Sequence, residues 1–255
     1  MNRNGPMLAV YAAAVYAFLH VPMLVLAVFS FNASRYSVWT GFSLEWYRAT
    51  FRDGELGQAA WNSLVIALAS MLFSTALGTG CAYGLWKRGS RWISGSMYLS
   101  LITPEIVTGI SLLAFYQWLF RYANFHLGMH TVILAHIAFS IAYVVVVVLA
   151  RLRTFDPALE EAALDLGATE LEAFWRVTLP AILPGVAAAA LLAFTVSIDD
   201  YVITSLVAGV DSETLPMVIY AMARRGVSPV VNAISTLIVV GLGGLILASE
   251  RLREA

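Results

Sequence analysis

The apolar positions of this chain gather into six long stretches separated by short polar breaks. They run over Met7–Phe29, Ala60–Trp86, Ile93–Phe120, Val132–Ala150, Pro184–Val207 and Val231–Ser249. Each is near or above the roughly 20 residues with which an α-helix crosses about 30 Å of hydrocarbon. The pattern predicts an all-α integral membrane protein of six spanning helices. Several stretches are interrupted by a proline, an acid or a histidine, and no internal repeat is visible. The first stretch follows Arg3 and invites comparison with a cleaved signal peptide. Its apolar run exceeds the usual 7–15 residues and holds His20 and Pro22, so a retained helix is expected.

Composition supports the membrane reading. Hydrophobic residues are 60 % of the 255 and charged residues 12 %, too few charges to cover a soluble surface. Fifteen Lys and Arg nearly balance sixteen Asp and Glu, which gives no cationic field for nucleic acid. The single cysteine, Cys81, cannot form an internal disulfide. Six spans put both termini on one face. If that face is cytoplasmic, nine basic residues lie inside and six outside, with Lys87, Arg88 and Arg91 the densest group. Trp39, Trp46, Tyr47 and Phe51, between the first two spans, read as an interfacial aromatic helix. Leu215–Ala223 reads as a short re-entrant or interfacial element.

The sharpest local pattern lies between the fourth and fifth spans, over Arg151–Leu183. Asp156 before Pro157 is a good helix start, and Ala158–Leu166 forms a short helix that Gly167 can end. Thr169 and Glu172 make a capping-box pattern for a second helix, which Pro180 is expected to stop. Leu164, Leu166, Leu171, Phe174 and Trp175 offer apolar knobs, framed by Glu160, Glu161, Asp165, Glu170 and Glu172. Such a hairpin suits a groove on a soluble partner. It also fits packing on its own bundle, whereas anionic headgroups would repel its acids.

Within this loop, Glu161–Ala162–Ala163, Gly167 and Val177–Thr178–Leu179–Pro180 resemble the EAA signature of binding-protein-dependent ABC importer permeases. The signature's isoleucine is here Val177. Asn62–Ser63–Leu64, Leu101–Ile102–Thr103–Pro104–Glu105 with Gly109, and Ser197–Ile198–Asp199–Asp200 are similar to the second permease of spermidine/putrescine-type importers. Thr214–Leu215–Pro216, Ile219–Tyr220 and Gly226–Val227–Ser228–Pro229 agree.

The resemblance implies a six-helix type I ABC importer permease, one domain over residues 1–255, with cytoplasmic coupling helices in 151–183. It implies a bacterial inner-membrane location, a second homologous permease, two ATPase subunits that bind ATP and Mg²⁺, and an external solute-binding protein. Glu161, Ala162, Ala163, Gly167, Leu171, Phe174, Val177, Leu179 and Pro180 would form the ATPase contact. Related permeases for thiamine, ferric iron or phosphonates share much of the pattern, and a stand-alone secondary transporter is the more distant alternative.

No phosphate loop is present; the cluster Gly78-Thr-Gly80-Cys-Ala-Tyr-Gly84 lacks a lysine and lies within a span. Ser70, Ser74 and Gly78 recur every four residues and suit close helix packing, as Gly244 and Ala248 do in the last span. His20, His126, His130 and His136 have no metal-ligand spacing, so neither a catalytic nor a metal site is expected, and no cofactor on this chain. His20 and His136 read as polar packing groups. The intramembrane acids are different, since each needs a reason. Glu105 falls near the middle of the third stretch beside a kink at Pro104, and Asp199 and Asp200 fall in the outer half of the fifth. With Tyr116, Trp118 or Tyr201 for cation–π contact, Glu105, Asp199 and Asp200 are candidates for a cation-attracting path. Capping of broken helix ends, pairing with the partner permease or lining of an aqueous vestibule are the structural alternatives.

Overall fold

The fold is that of a computed structural model, which describes residues 5–254 other than Ser37, Ala123, Asn124 and Val227; of Gly5, Pro6 and residues 242–254 only the backbone is described. Arg3 and Val227 therefore lie outside the described residues, as do the side chains expected to pack at Gly244 and Ala248 and the basic groups of Arg251 and Arg253.

The described chain is helical almost throughout. Its elements are α1 (Gly5–Phe29), α2 (Glu45–Arg52), α3 (Gly54–Arg88), α4 (Arg91–Ile102), α5 (Glu105–Phe120), α6 (Met129–Leu152), α7 (Ala158–Asp165), α8 (Glu170–Ala173), α9 (Leu179–Asp199), α10 (Val202–Val207), α11 (Leu215–Arg224) and α12 (Pro229–Glu254). A five-residue π-helical turn, Phe174–Thr178, joins α8 to α9.

Among the described residues, four helices are long and apolar enough to cross a membrane: Met7–Phe29, Gly54–Arg88, Met129–Leu152 and Glu170–Asp199. The pair α4 and α5 makes a fifth if its 110° bend is one broken span. The six-helix expectation is thus corrected to four, or up to five, in an all-α multi-pass membrane protein. The third apolar stretch is not continuous. Thr103 and Pro104 both take extended backbone, and Pro104 has no amide to carry the helical ladder through. In the sixth, the described apolar helix Pro229–Gly241 rises only about 20 Å at 1.5 Å per residue. Same-side termini followed from an even count of six and lose that basis.

The chain forms two compact units, one of the residues up to Gln58 and from Val218 onward, the other Ala59–Met217. In the first, α12 packs against α1 and α2. Leu8, Phe18 and Leu24 of α1 are exposed, as helix faces that meet lipid are. Trp46 of α2 is buried and its indole N–H donates to the Asn32 carbonyl at 2.7 Å, so this aromatic is anchored rather than loosely interfacial.

In the second unit α6 is central. Its sequence is apolar on every side, which suits a helix surrounded by others. Val144, Val145, Val148 and Leu152 meet Ala82 and Leu85 of α3 and Ile182, Ala189 and Ala193 of α9. Higher up, Val132, Ala135 and Phe139 meet Ile66, Tyr116, Ile203 and Val207. The small-residue stripe on α3 has a packing use at Gly78, where an added Cβ would lie 2.6 Å from Val144 Cγ1. Gly80 and Gly84 face open space. Gly109 is a second close approach: a Cβ there would lie 2.5 Å from Leu206, which sets how near α5 comes to α10.

Candidate functional site

Two groups of residues in the second unit carry the candidate chemistry, and the hairpin after α6 is the first. Asp156 Oδ1 accepts the Ala158 N–H at 3.0 Å, and α7 begins there. It ends in a paired reverse turn: Gly167 N–H donates to Leu164 O at 2.9 Å and Ala168 N–H to Ala163 O at 3.0 Å. Gly167 has φ +92°, a left-handed conformation that a side chain would strain. Thr169 and Glu172 close a reciprocal cap, with Thr169 N–H donating to Glu172 Oε2 at 3.0 Å and Glu172 N–H to Thr169 Oγ1 at 3.3 Å.

Pro180 does not stop the second helix. Leu179 N–H donates to Phe174 O, five residues back, and this wider turn sets Pro180 at the start of α9, where proline is tolerated. The chain stays helical from Glu170 to Asp199. Leu166, Leu171 and Trp175 stand exposed, Leu166 at 90 %. Glu161, Ala162, Gly167 and Pro180 are exposed too, whereas Ala163, Leu164, Phe174, Val177 and Leu179 are half-buried.

Glu160 corrects the sequence reading, which grouped it with the framing surface charges. It is 1 % exposed. Its carboxylate accepts from Tyr83 Oη at 2.6 Å and Thr178 Oγ1 at 2.9 Å, and pairs with Lys87 Nζ at 2.6 Å. Phe174 packs on the Tyr83 ring at 4.6 Å between centroids. The acid thus fastens α7, the π-helical turn and the end of α3 together. No local signal points to this, because Tyr83 lies 77 positions away. Burial pushes the carboxyl upward, but the Lys87 ammonium and the Tyr83 and Thr178 hydroxyls outweigh it, and it titrates below its usual value near 4.5. A lowered carboxyl contributes stability that is complete above the usual value and is lost as pH falls through the lowered one. In thermal melts, the wild type's advantage over Glu160→Gln should therefore hold at neutral pH and shrink below about pH 4.5. A difference independent of pH would contradict this.

The second group lines a cavity of about 620 Å³. It brings together Glu105, Asp199, Asp200 and Tyr201, with Thr103, Thr108 and Tyr143 among the other walls. No lysine or arginine is among its lining residues. Glu105 is in the first turn of α5, not in the middle of a helix as the sequence suggested. Glu105 and Asp199 are exposed, while Asp200 is buried.

Asp200 is occupied by structure. Its carboxylate accepts the Thr204 N–H at 2.8 Å and Thr204 Oγ1 at 2.7 Å, which caps α10 where the fifth stretch breaks. His136, fully buried, lies beside it: Nε2 is 2.9 Å from Thr204 Oγ1 and 3.4 Å from Asp200 Oδ2, and Nδ1 is 2.7 Å from Ser197 Oγ. Ser197, Asp200 and Thr204 thus close on one imidazole from α6. Tyr116 stands apart from the cavity; it is buried, and its hydroxyl donates to Thr131 O at 3.1 Å. Trp118 is exposed, stacks on Phe115, and is not among the cavity's walls. His20 is exposed, with Nδ1 2.8 Å from Tyr16 O. Among the described residues no group of three or more His, Cys, Asp or Glu side chains is arranged to hold a metal ion.

Comparison with known proteins identifies the class to which this fold belongs. Residues 74–249 match the family described as binding-protein-dependent transport system inner membrane component. The chain belongs to that family: it is a transmembrane permease subunit of an ABC importer, and not itself an ATPase. Family membership implies assembly with a second permease, an ATPase that uses ATP and a solute-binding protein.

Among its relatives is the spermidine/putrescine transport system permease protein PotC of Escherichia coli K12, 40 % identical over 244 residues, which are 94 % of this chain and 91 % of that one. The putrescine transport system permease protein PotI of the same strain is 42 % identical over 240 residues, 91 % and 85 % of the two chains. In fold, the chain resembles a bacterial ABC transporter involved in the import of alginate, with TM-score 0.77, 17 % identity and coverage of 99 % and 96 %. The MetNI methionine ABC transporter is similar at TM-score 0.64, 20 % identity and coverage of 77 % and 94 %.

Proposed function

We propose that this subunit provides half of the path by which polyamines such as spermidine and putrescine enter the cell, paired with a homologous permease and driven by two ATPase subunits that hold ATP and Mg²⁺. The observation that carries the cargo is the cavity wall: two exposed carboxylates, Glu105 and Asp199, with Tyr201 beside them and no basic side chain to compete. A flexible polycation gains from several weak attractions of this kind and can still leave on the far side. Asp200 serves that path indirectly by holding the helix break in shape. Two relatives, named as permeases for spermidine/putrescine and for putrescine, point the same way.

The hairpin is the surface that meets the ATPases, on the cytoplasmic face of the inner membrane. Leu171 and the exposed residues Glu161, Ala162, Gly167 and Pro180 would touch the partner's groove, with Ala163, Phe174, Val177 and Leu179 backing them. Positive charge at Lys87, Arg88, Arg91, Arg151 and Arg153 near the same helix ends supports this orientation.

The test is uptake of labelled spermidine, putrescine, thiamine and ferric chelates by the full complex in proteoliposomes with ATP. Polyamine uptake should dominate. Glu105→Gln with Asp199→Asn should lower its rate at limiting cargo about tenfold, the equivalent of ~1.4 kcal/mol, while cargo affinity of the separate binding protein stays unchanged. If the intact complex carries no polyamine, the cargo assignment falls and the family assignment stands.

A further inference from the structure

The helix α3 is fastened near its C-terminus, and again at Asn62 and Ser63 in its N-terminal part, to segments far from it in sequence. At one end, Tyr83 and Lys87 hold the buried Glu160 carboxylate. At the other, Asn62 Nδ2 donates to Asp211 O at 3.1 Å and Glu213 O at 3.0 Å, and Leu215 N–H donates to Ser63 Oγ at 2.8 Å. Asn62 and Ser63 are themselves buried. From Asn62 to Lys87 an unbroken helix rises about 37 Å, more than the roughly 30 Å of hydrocarbon.

Of the other apolar stretches in this unit, α6 is also unbroken, but its N-terminal end meets Val207, whose carbonyl accepts from Thr131 Oγ1 at 2.8 Å, and not the Asp211–Leu215 segment; the remaining two are interrupted. The stretch holding α4 and α5 bends by 110°, and that holding α9 and α10 breaks at Asp200–Tyr201. A bent helix absorbs displacement at its bend, whereas a continuous one transmits it. Between its ends α3 runs close along α6, with Gly78 against Val144 and Ser70 beside Ser140, and Ile66 and Leu85 pack into the cores it shares with α6.

We propose that α3 is a rigid strut carrying the displacement of the cytoplasmic hairpin across the bilayer to the Asp211–Leu215 segment, with Glu160 pinning its inner end and Asn62 and Ser63 its outer end. Glu160 and Asn62 are positioning residues: neither needs to touch cargo or nucleotide. Glu160, next to the signature acid Glu161, acts inward on α3 while its neighbour faces outward. This inference rests on the hairpin being the ATPase contact.

The test uses the complete complex in proteoliposomes and reads ATP hydrolysed per cargo imported. Glu160→Gln and Asn62→Ala should each raise that ratio about tenfold, the factor of ~1.4 kcal/mol of lost coupling. Lys87→Arg, which keeps the ion pair, should stay near the wild type. The double variant should be no worse than the poorer single one, since both cut the same strut. Independent multiplication of the two effects, or wild-type ratios in both, would overturn the proposal.

Should Glu160→Gln fail to assemble, spin labels at Leu166 and Arg88 in the otherwise wild-type complex decide. Their separation should be the same in nucleotide-free and ATP-trapped states, and a change that follows the hairpin's own movement would sink the strut. Crosslinking from Ala163 to the ATPase separates the two readings. Its absence removes the hairpin contact itself, whereas its presence with a failed strut test removes only α3.

Discussion

Replacing His136 by alanine is expected to destabilise the subunit by about 3 kcal/mol or more, because it empties a fully buried site and strips partners from Ser197, Asp200 and Thr204 together. At roughly 2–4 °C per kcal/mol for a chain of this length, the melting temperature of the purified complex in detergent should fall by about 10 °C. The loss should not be uniform. α10 is only six residues long and is held by Asp200, so the break at Asp200–Tyr201 is where order would first be lost. His136→Gln keeps a polar group near the Nε2 position and should recover part of the difference. Equal melting of His136→Ala and wild type would mean that the imidazole does not hold this junction.

The second large effect is expected at Gly167. A valine at φ +92° combines a β-branched side chain with left-handed backbone, a strain of about 1–3 kcal/mol. Nothing lies within 4 Å of the position a Cβ would take, so the penalty comes from the backbone and not from a clash. The chain relieves it by opening the turn, which gives up the bonds from Gly167 to Leu164 and from Ala168 to Ala163 and swings α7 against α8. Membrane insertion should be unchanged, because the hairpin lies outside the apolar helices. Import by the assembled complex should fall about tenfold or more. Gly167→Asn should lose much less, since asparagine tolerates left-handed backbone. Normal transport by the valine variant would show that the angle between the two short helices does not matter.

These two sites differ in how far the sequence discloses them. The hairpin could be read residue by residue: Asp156 as helix start, Gly167 as turn, Thr169 and Glu172 as a reciprocal cap. The bonds that make its turn and caps join residues at most five apart, so the chain carries that part of the instruction locally. The misreadings there are Glu160, which is buried and not a surface charge, and Pro180, whose arrest of the helix is averted by the π-helical turn just before it. The cavity was half legible. Intramembrane acids drew notice to Glu105, Asp199 and Asp200, but nothing in their spacing separated the one that caps a helix from the two that face open volume.

From its sequence alone the chain determined that it must lie in a membrane, since its apolar excess has no core to enter in water. The same sequence set the turn and caps of the hairpin, through contacts within a single turn. Only the tertiary structure decided how many helices span and where they bend, because a proline or a pair of acids permits a break and the surrounding helices set its size. It alone also decided the fate of Glu160, Asp200 and His136. Their burial depends on Tyr83, Ser197 and Thr204, from which they or their partners are separated by 61 to 77 positions. Asp200 finds its capping donors four residues on, but Glu160 and His136 take their roles from partners that only folding brings to them.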